Sequence, residues 1–304
     1  MSKTLKVILV IAAALFAVGI VLIGIALVSG AGLSDVANFQ FPFSAGAPSS
    51  DGDFSSAGSY AVPAGDVSSV QVNWSSGKVN VLSGTGTEIV FEEFSNRAIS
   101  EEEALRWRME GRTLIIDFAK RKVVNCFKSL TLTLPEALRD ELEIDVASAK
   151  VNVREIEAGS VNIDGASGEV WVEDTVTCRS LEIETASGDV HAAGSYDELD
   201  LNSSSGRLTF AGSIREGDVE SSSGAVNLTL TENFRELDVE TSSGEVTVSF
   251  PESVGFWLDY EMASGEVKTD LPMTLQGKRW QMGTPGGNLS VETSSGNLNL
   301  VRAE

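Results

Sequence analysis

Hydrophobic and polar residues alternate along most of this chain, in short runs that end at small residues. Leu237-Asp-Val-Glu-Thr241 and Val246-Thr-Val-Ser-Phe250 are typical runs. A period of two predicts strands with one buried face. Between the runs a tripeptide of Ser or Ala, then Ser, then Gly recurs, ending at Gly77, Gly168, Gly188, Gly206, Gly224, Gly244, Gly265 and Gly296. Ala147-Ser148-Ala149 is a degenerate copy, and from Ala149 onward the steps are 19, 20, 18, 18, 20, 21 and 31 residues.

The flanks keep the same register. Five residues before the glycine (or Ala149) stand Ile144, Ile163, Ile183, Leu201, Val219, Val239, Tyr260 and Val291. Two after it stand Val151, Val170, Val190, Leu208, Val226, Val246, Val267 and Leu298. Val72 and Val79 hold these places in the Gly77 copy. Each unit thus reads as two strands meeting at a Ser-Gly bend, where Gly supplies φ > 0. One such unit cannot bury its own apolar face, whereas stacked units share a core. The expected fold is all-β: a β-solenoid of ~20-residue repeats over residues 140–304, in about eight rungs about 4.8 Å apart. A β-sandwich is the rival, since strands every 8–12 residues fit it too.

Residues 61–139 are less regular and read as an N-terminal β cap. Leu105, Trp107 and Met109 alternate up to Glu110-Gly111, and Leu114, Ile116 and Phe118 alternate beyond it, which predicts a hairpin. Ser100 and Glu103 match a capping box for one helical turn before it. Leu130, Leu132 and Leu134 predict a further strand.

The N-terminus breaks the pattern. Residues 7–28 are apolar without a charge. At 1.5 Å per residue they span about 33 Å, enough for a bilayer core. Lys3 and Lys6 precede the run, and the next basic residue is Lys78. This predicts a single-pass transmembrane helix, residues 1–6 cytoplasmic and the rest extracytoplasmic at the cell membrane. A cleaved signal peptide ending near Val28-Ser29-Gly30 is the rival. Residues 29–60 are rich in Ser, Gly, Ala and Pro and read as a flexible stalk.

Charge narrows the partners. The net charge is −22. Residues 1–139 carry 13 Asp/Glu against 12 Lys/Arg, and residues 140–304 carry 31 against 10. An acidic repeat domain repels phosphates, which argues against nucleic acid. Cys126 and Cys178 are too few for a disulfide framework, leaving one bridge or two free thiols. His191 is the sole histidine, so no common Cys/His zinc set can form.

Two features are candidates for chemistry. Four residues before the bends run Asp145, Asp164, Glu184, Asn202, Glu220, Glu240, Glu261 and Glu292, and six before run Glu143, Asn162, Glu182, Asp200, Asp218, Asp238, Asp259 and Ser290. Alternation turns both columns outward on one face. Asp145, Glu184, Glu220, Glu240 and Glu261 could form a ladder for Ca²⁺ or Mg²⁺, which take hard oxygen ligands. A solvated face that blocks sheet-to-sheet aggregation explains the same columns. In the long last interval Lys278, Arg279 and Trp280 form a basic-aromatic cluster that could contact an envelope glycan or protein. No nucleophile motif or singled-out carboxylate pair is present, so no enzyme is expected.

Val70-Gln-Val-Asn-Trp-Ser-Ser-Gly-Lys-Val-Asn-Val81, Leu132-Thr-Leu-Pro135, Leu237–Val246 and Gly286–Gly296 resemble the bacterial "putative adhesin" family of β-strand repeat proteins. The resemblance spans about residues 60–301. It implies the repeat fold, often behind a transmembrane helix, and no catalytic residues. The expected role is a noncatalytic cell-envelope module for adhesion, scaffolding or envelope-stress-linked interaction. The alternatives are a carbohydrate-active β-helix enzyme and a self-assembling solenoid.

Overall fold

The structure is a computed structural model that describes residues 55–303 except 121, 136, 137 and 278. The expected membrane helix at 7–28 and nearly all of the expected stalk lie outside the described residues. Among the described residues no helix is long and apolar enough to cross a membrane.

The alternating runs form two sheets that face one another. The leading sheet holds the strands before each bend, and the trailing sheet holds those after it. Successive leading strands pair in parallel without offset: Ile163 with Ile183, Ile183 with Leu201, Leu201 with Val219, Val219 with Val239. The trailing strands do the same, from Val151 with Val170 to Val246 with Leu298. The chain is therefore a stacked β-solenoid, as the positional identity of the repeats predicts. Among the described residues, antiparallel pairing occurs only at the two ends.

Identity of position becomes a column of identical packing. Val72, Ile144, Ile183, Leu201, Val219, Val239 and Val291 are all buried from one sheet, and Val79, Val151, Val190, Leu208, Val226, Val246 and Leu298 from the other. Each fully buried aliphatic side chain contributes about 1.5–3 kcal/mol by leaving water. Beneath the bends runs a second, polar column: Thr185, Ser203, Ser221, Thr241 and Thr293 are buried three residues before each glycine. Ser203 Oγ accepts the Gly206 N–H at 2.9 Å, and Ser221 Oγ accepts the Gly224 N–H at 3.0 Å. The Ser203 and Ser221 hydroxyls thus satisfy backbone groups at the turned corner, whereas those of Thr241 and Thr293 are buried without a partner among the described residues.

The glycines are needed for close approach more than for backbone hand. Within the column only Gly77, Gly168 and Gly265 have φ in the left-handed region. A Cβ on Gly206 would lie 1.8 Å from the Gly188 carbonyl oxygen, and one on Gly188 equally close to that of Gly168. The expectation of φ > 0 at every bend is therefore corrected.

Order in space departs from order in sequence at both ends. The first half of strand Ser69–Ser83 pairs with Thr113–Asp117 on one side and Leu138–Val153 on the other. The Gly77 unit is thus a complete rung inside the stack, and strands Thr113–Asp117 and Lys128–Leu134 form the rung beyond it. At the opposite end Gly287–Ser295 pairs with both Glu236–Thr241 and Phe256–Ser264, and Leu298–Arg302 with both Val246–Phe250 and Val267–Thr269. The Gly296 rung is inserted between the Gly244 and Gly265 rungs. Burial explains this order. The Gly296 rung offers Leu289, Val291, Leu298 and Leu300, all fully buried. The Gly265 rung offers Tyr260 and Thr269 at equivalent places, both exposed.

The cap near Gly77 matches its expected parts. Arg106–Glu110 and Thr113–Asp117 form the antiparallel hairpin. Ser100 N–H donates to Glu103 Oε2 at 3.0 Å, and Ala104 N–H to the Ser100 carbonyl, which closes the expected turn. Ser55–Pro63 and Glu88–Ser95 extend the trailing sheet antiparallel beyond Lys128–Leu134. Cys126 and Cys178 are both free thiols.

Candidate functional site

The two outer faces differ in charge because outward positions differ between the sheets. On the leading face the expected columns stand in register: Asp145 opposite Asp164, Asp164 opposite Glu184, Glu220 opposite Glu240, Glu240 opposite Glu292, and Glu292 opposite Glu261. The second column brings Asp200 beside Asp218 and Asp218 beside Asp238.

Crowded carboxylates at strand spacing repel one another. They are also partly withdrawn from water. Burial, then the charges of Glu143 and Asp164, pushes Asp145 up to about 7. Burial, then Asp218 and its neighbours, pushes Asp200 up to about 7. Burial, then Asp218 and Glu240, pushes Glu220 up to about 7. Glu143, Asp164, Glu184 and Asp218 shift upward chiefly through burial. Among the described residues no three His, Cys, Asp or Glu side chains are grouped to hold a metal ion.

The trailing face carries a row of uncharged polar and aromatic residues that ends at Lys268, opposite Asn299. Asn80, Asn152, Trp171, His191, Thr209, Asn227, Thr247 and Asn299 are register neighbours in turn. Asn152 Nδ2 donates to Asn80 Oδ1 at 2.9 Å. Asn299 Nδ2 donates to Thr247 Oγ1 at 3.3 Å and to Glu245 Oε1 at 2.7 Å. Midway, Trp171 stacks on His191 with ring centroids 4.0 Å apart. Lys150 Nζ lies 5.3 Å from the Trp171 ring and 2.7 Å from Glu169 Oε2. His191 is largely covered in this stack. The row was missed because its members look unremarkable singly; counting three residues on from each glycine would have found it.

The basic-aromatic cluster is divided by strand alternation. Arg279 faces outward, with Nη2 2.5 Å from Asp259 Oδ2 and 3.1 Å from Asn288 Oδ1. Its guanidinium lies 5.4 Å from the Trp257 ring. Trp280 is partly buried and packs on the core. Lys278 lies outside the described residues.

A shallow depression of about 300 Å³ near the cap is lined by Glu110, Glu141 and Glu143 with Gln71 and Thr113. Inside the cap Lys128 is fully buried, 2.5 Å from the equally buried Glu93. Its ammonium also donates to the carbonyls of Glu103 and Phe118. All three donors are taken, so this pair is structural.

These repeats decide the family. The Toastrack DUF4097 family matches residues 104–301, two thirds of the chain. The chain belongs to the Toastrack DUF4097 family. The resemblance to the "putative adhesin" proteins is borne out with it. A "putative adhesin" of Parabacteroides distasonis is 15% identical, with TM-score 0.52 over 84% of this chain and 98% of that one. A "putative adhesin" of Bacteroides fragilis is 14% identical, with TM-score 0.44 over 80% and 95%. A "putative lipid binding protein" of Parabacteroides distasonis is 13% identical, with TM-score 0.42 over 84% and 98%. No curated protein matches the chain. Membership fits the stacked rungs, since the matched residues run from the hairpin at Arg106–Glu110 into the last strand, Leu298–Arg302.

Proposed function

We propose that this Toastrack protein is a noncatalytic cell-envelope module, tethered to the membrane through residues 7–28, that presents its trailing face to an uncharged envelope glycan or protein. The observation that supports this reading is the difference in charge between the two faces. One sheet carries the carboxylate columns, and the other a row of Asn, Thr and aromatic side chains beside the paired charges of Lys150 and Glu169. Neutral donors and acceptors at rung spacing suit a hydroxyl-rich or amide-rich polymer laid along the stack. The acidic face keeps two such sheets from adhering.

A glycosidase would set one carboxyl apart as acid and keep its partner ionised in a cleft. Here Asp145, Asp200 and Glu220, on three different rungs, are each raised to about 7. Raised carboxyls spread over separate rungs, with no single acid set apart, support the noncatalytic reading.

The test is binding of the full chain to envelope fractions, one stripped of protein and one stripped of glycan. Thr209→Glu with Asn227→Glu charges the trailing face and is expected to reduce binding at least tenfold. Asp200→Asn with Glu220→Gln alters the other face and is expected to leave it unchanged. The proposal fails if the second pair abolishes binding and the first does not.

A further inference from the structure

The two ends of the stack are finished differently. At the Gly77 end the antiparallel strands Ser55–Pro63, Glu88–Ser95 and Arg106–Glu110 cover the last rung, and Tyr60, Phe91 and Trp107 form an aromatic plug. At the other end the hairpin of Met273–Gln276 and Arg279–Met282 covers half of the Gly265 rung. It pairs with Phe256, Trp257 and Leu258 only. Among the described residues no strand pairs with the outer edge of residues 259–264 or of Val267–Thr269. Tyr260, at a place buried in the inner rungs, is 43% exposed here. Met262 and Val267 are only partly covered. An edge with free N–H and C=O groups and apolar flanks invites another strand.

The charges on this edge identify the strand. Glu266 and Lys268 flank Val267, 3.6 Å apart and both exposed. Met262 and Val267 stand three residues before and two after the glycine, the places where the two sheets face each other. A two-fold axis through both would set each edge antiparallel to its copy. Glu266 would then face the partner's Lys268, and Lys268 the partner's Glu266. The same axis sets Glu261 opposite the partner's Ala263, so the acidic column meets no like charge. A register centred on Tyr260 or Glu261 would oppose carboxylates, which is destabilising.

We infer that two copies of this chain join end to end across their Gly265 rungs, with Met262 and Val267 of each on the two-fold axis. Both copies contribute this same edge, so the contact is isologous and uses it up. The assembly closes as a dimer and does not grow into a filament, as a head-to-tail contact would. This narrows the self-assembling alternative to one isologous interface. It does not depend on what the trailing face binds.

Sedimentation of the full chain in mild detergent over about a hundredfold concentration range tests the interface. A reversible monomer–dimer equilibrium is expected. Glu266→Lys sets lysines opposite each other and is expected to weaken the dimer about tenfold, at two like-charge pairs per dimer. Glu266→Lys with Lys268→Glu restores the pairing and the dimer. In a Cys126→Ser background, Met262→Cys is expected to form an interchain disulfide on mild oxidation, and Trp107→Cys at the plugged end is not. A strict monomer, open-ended assemblies, or a dimer indifferent to the single reversal would each overturn the inference.

Discussion

The Gly206 Cα lies so close to the backbone of Gly188 that an added methyl would sit 1.8 Å from the Gly188 carbonyl oxygen. This contact repeats up the column, with Gly224 on Gly206 and Gly296 on Gly244. The tripeptide recurs because every rung must let the next one approach.

Gly206→Ala is therefore expected to cost about 3 kcal/mol or more, through a backbone shift that spreads to both neighbours. Gly111→Ala meets only the backbone cost of φ +64 in open space, about 1–2 kcal/mol. Gly65→Ala meets nothing within 4 Å and should be neutral. Urea unfolding of the three variants measures the ranking. A Gly206→Ala protein as stable as Gly65→Ala would contradict the close-approach argument.

Lys128→Met should destabilise the cap by about 3–5 kcal/mol, because it leaves the Glu93 carboxylate buried without a countercharge. Burial lowers the Lys128 pKa, and its contact with Glu93 opposes that fall. Adding Glu93→Leu should recover much of the loss. Thermal unfolding of the single and double variants measures the coupling, and a purely additive double variant would count against it.

Stability should fall as pH rises from about 5 to 8. The folded carboxyls of Asp145, Asp200 and Glu220 titrate near 7, against about 4 when unfolded. A raised carboxyl favours the fold fully below its unfolded pKa, and that contribution is lost as pH climbs through the folded value. Glu103 moves the other way, held to about 2 by its bond to Arg97, and stays ionised throughout this window. The melting temperature at pH 5.5 should exceed that at pH 8 by about 3 °C or more. Asp200→Asn with Glu220→Gln should flatten the slope. A melting temperature that rises with pH would refute this account of the ladder.

Cys178 should resist alkylation until the chain unfolds. Burial raises its thiol to about 12 and withholds the thiolate. Cys126 is partly exposed and should react first, slowly, since burial raises its pKa too. Two thiols titrating at equal rates in the native protein would show that the Cys178 rung is open.

The sequence by itself determined the rungs. A fixed interval with Val, Ile or Leu at constant offsets from Gly favours in-register stacking over a sandwich, because each apolar face then finds its copy above and below. It likewise placed the acidic columns on one face, since alternation fixes direction. Tertiary structure alone decided which rungs are neighbours at the ends. Local pattern specifies a rung but not its place in the stack. The Gly296 rung goes inside and the Gly265 rung outside because Leu289, Val291, Leu298 and Leu300 gain from two neighbours, while Tyr260 and Thr269 tolerate water. The buried Lys128–Glu93 pair was hidden for the same reason. Both residues read as surface charges until strands distant in sequence enclose them and low polarity forces them together.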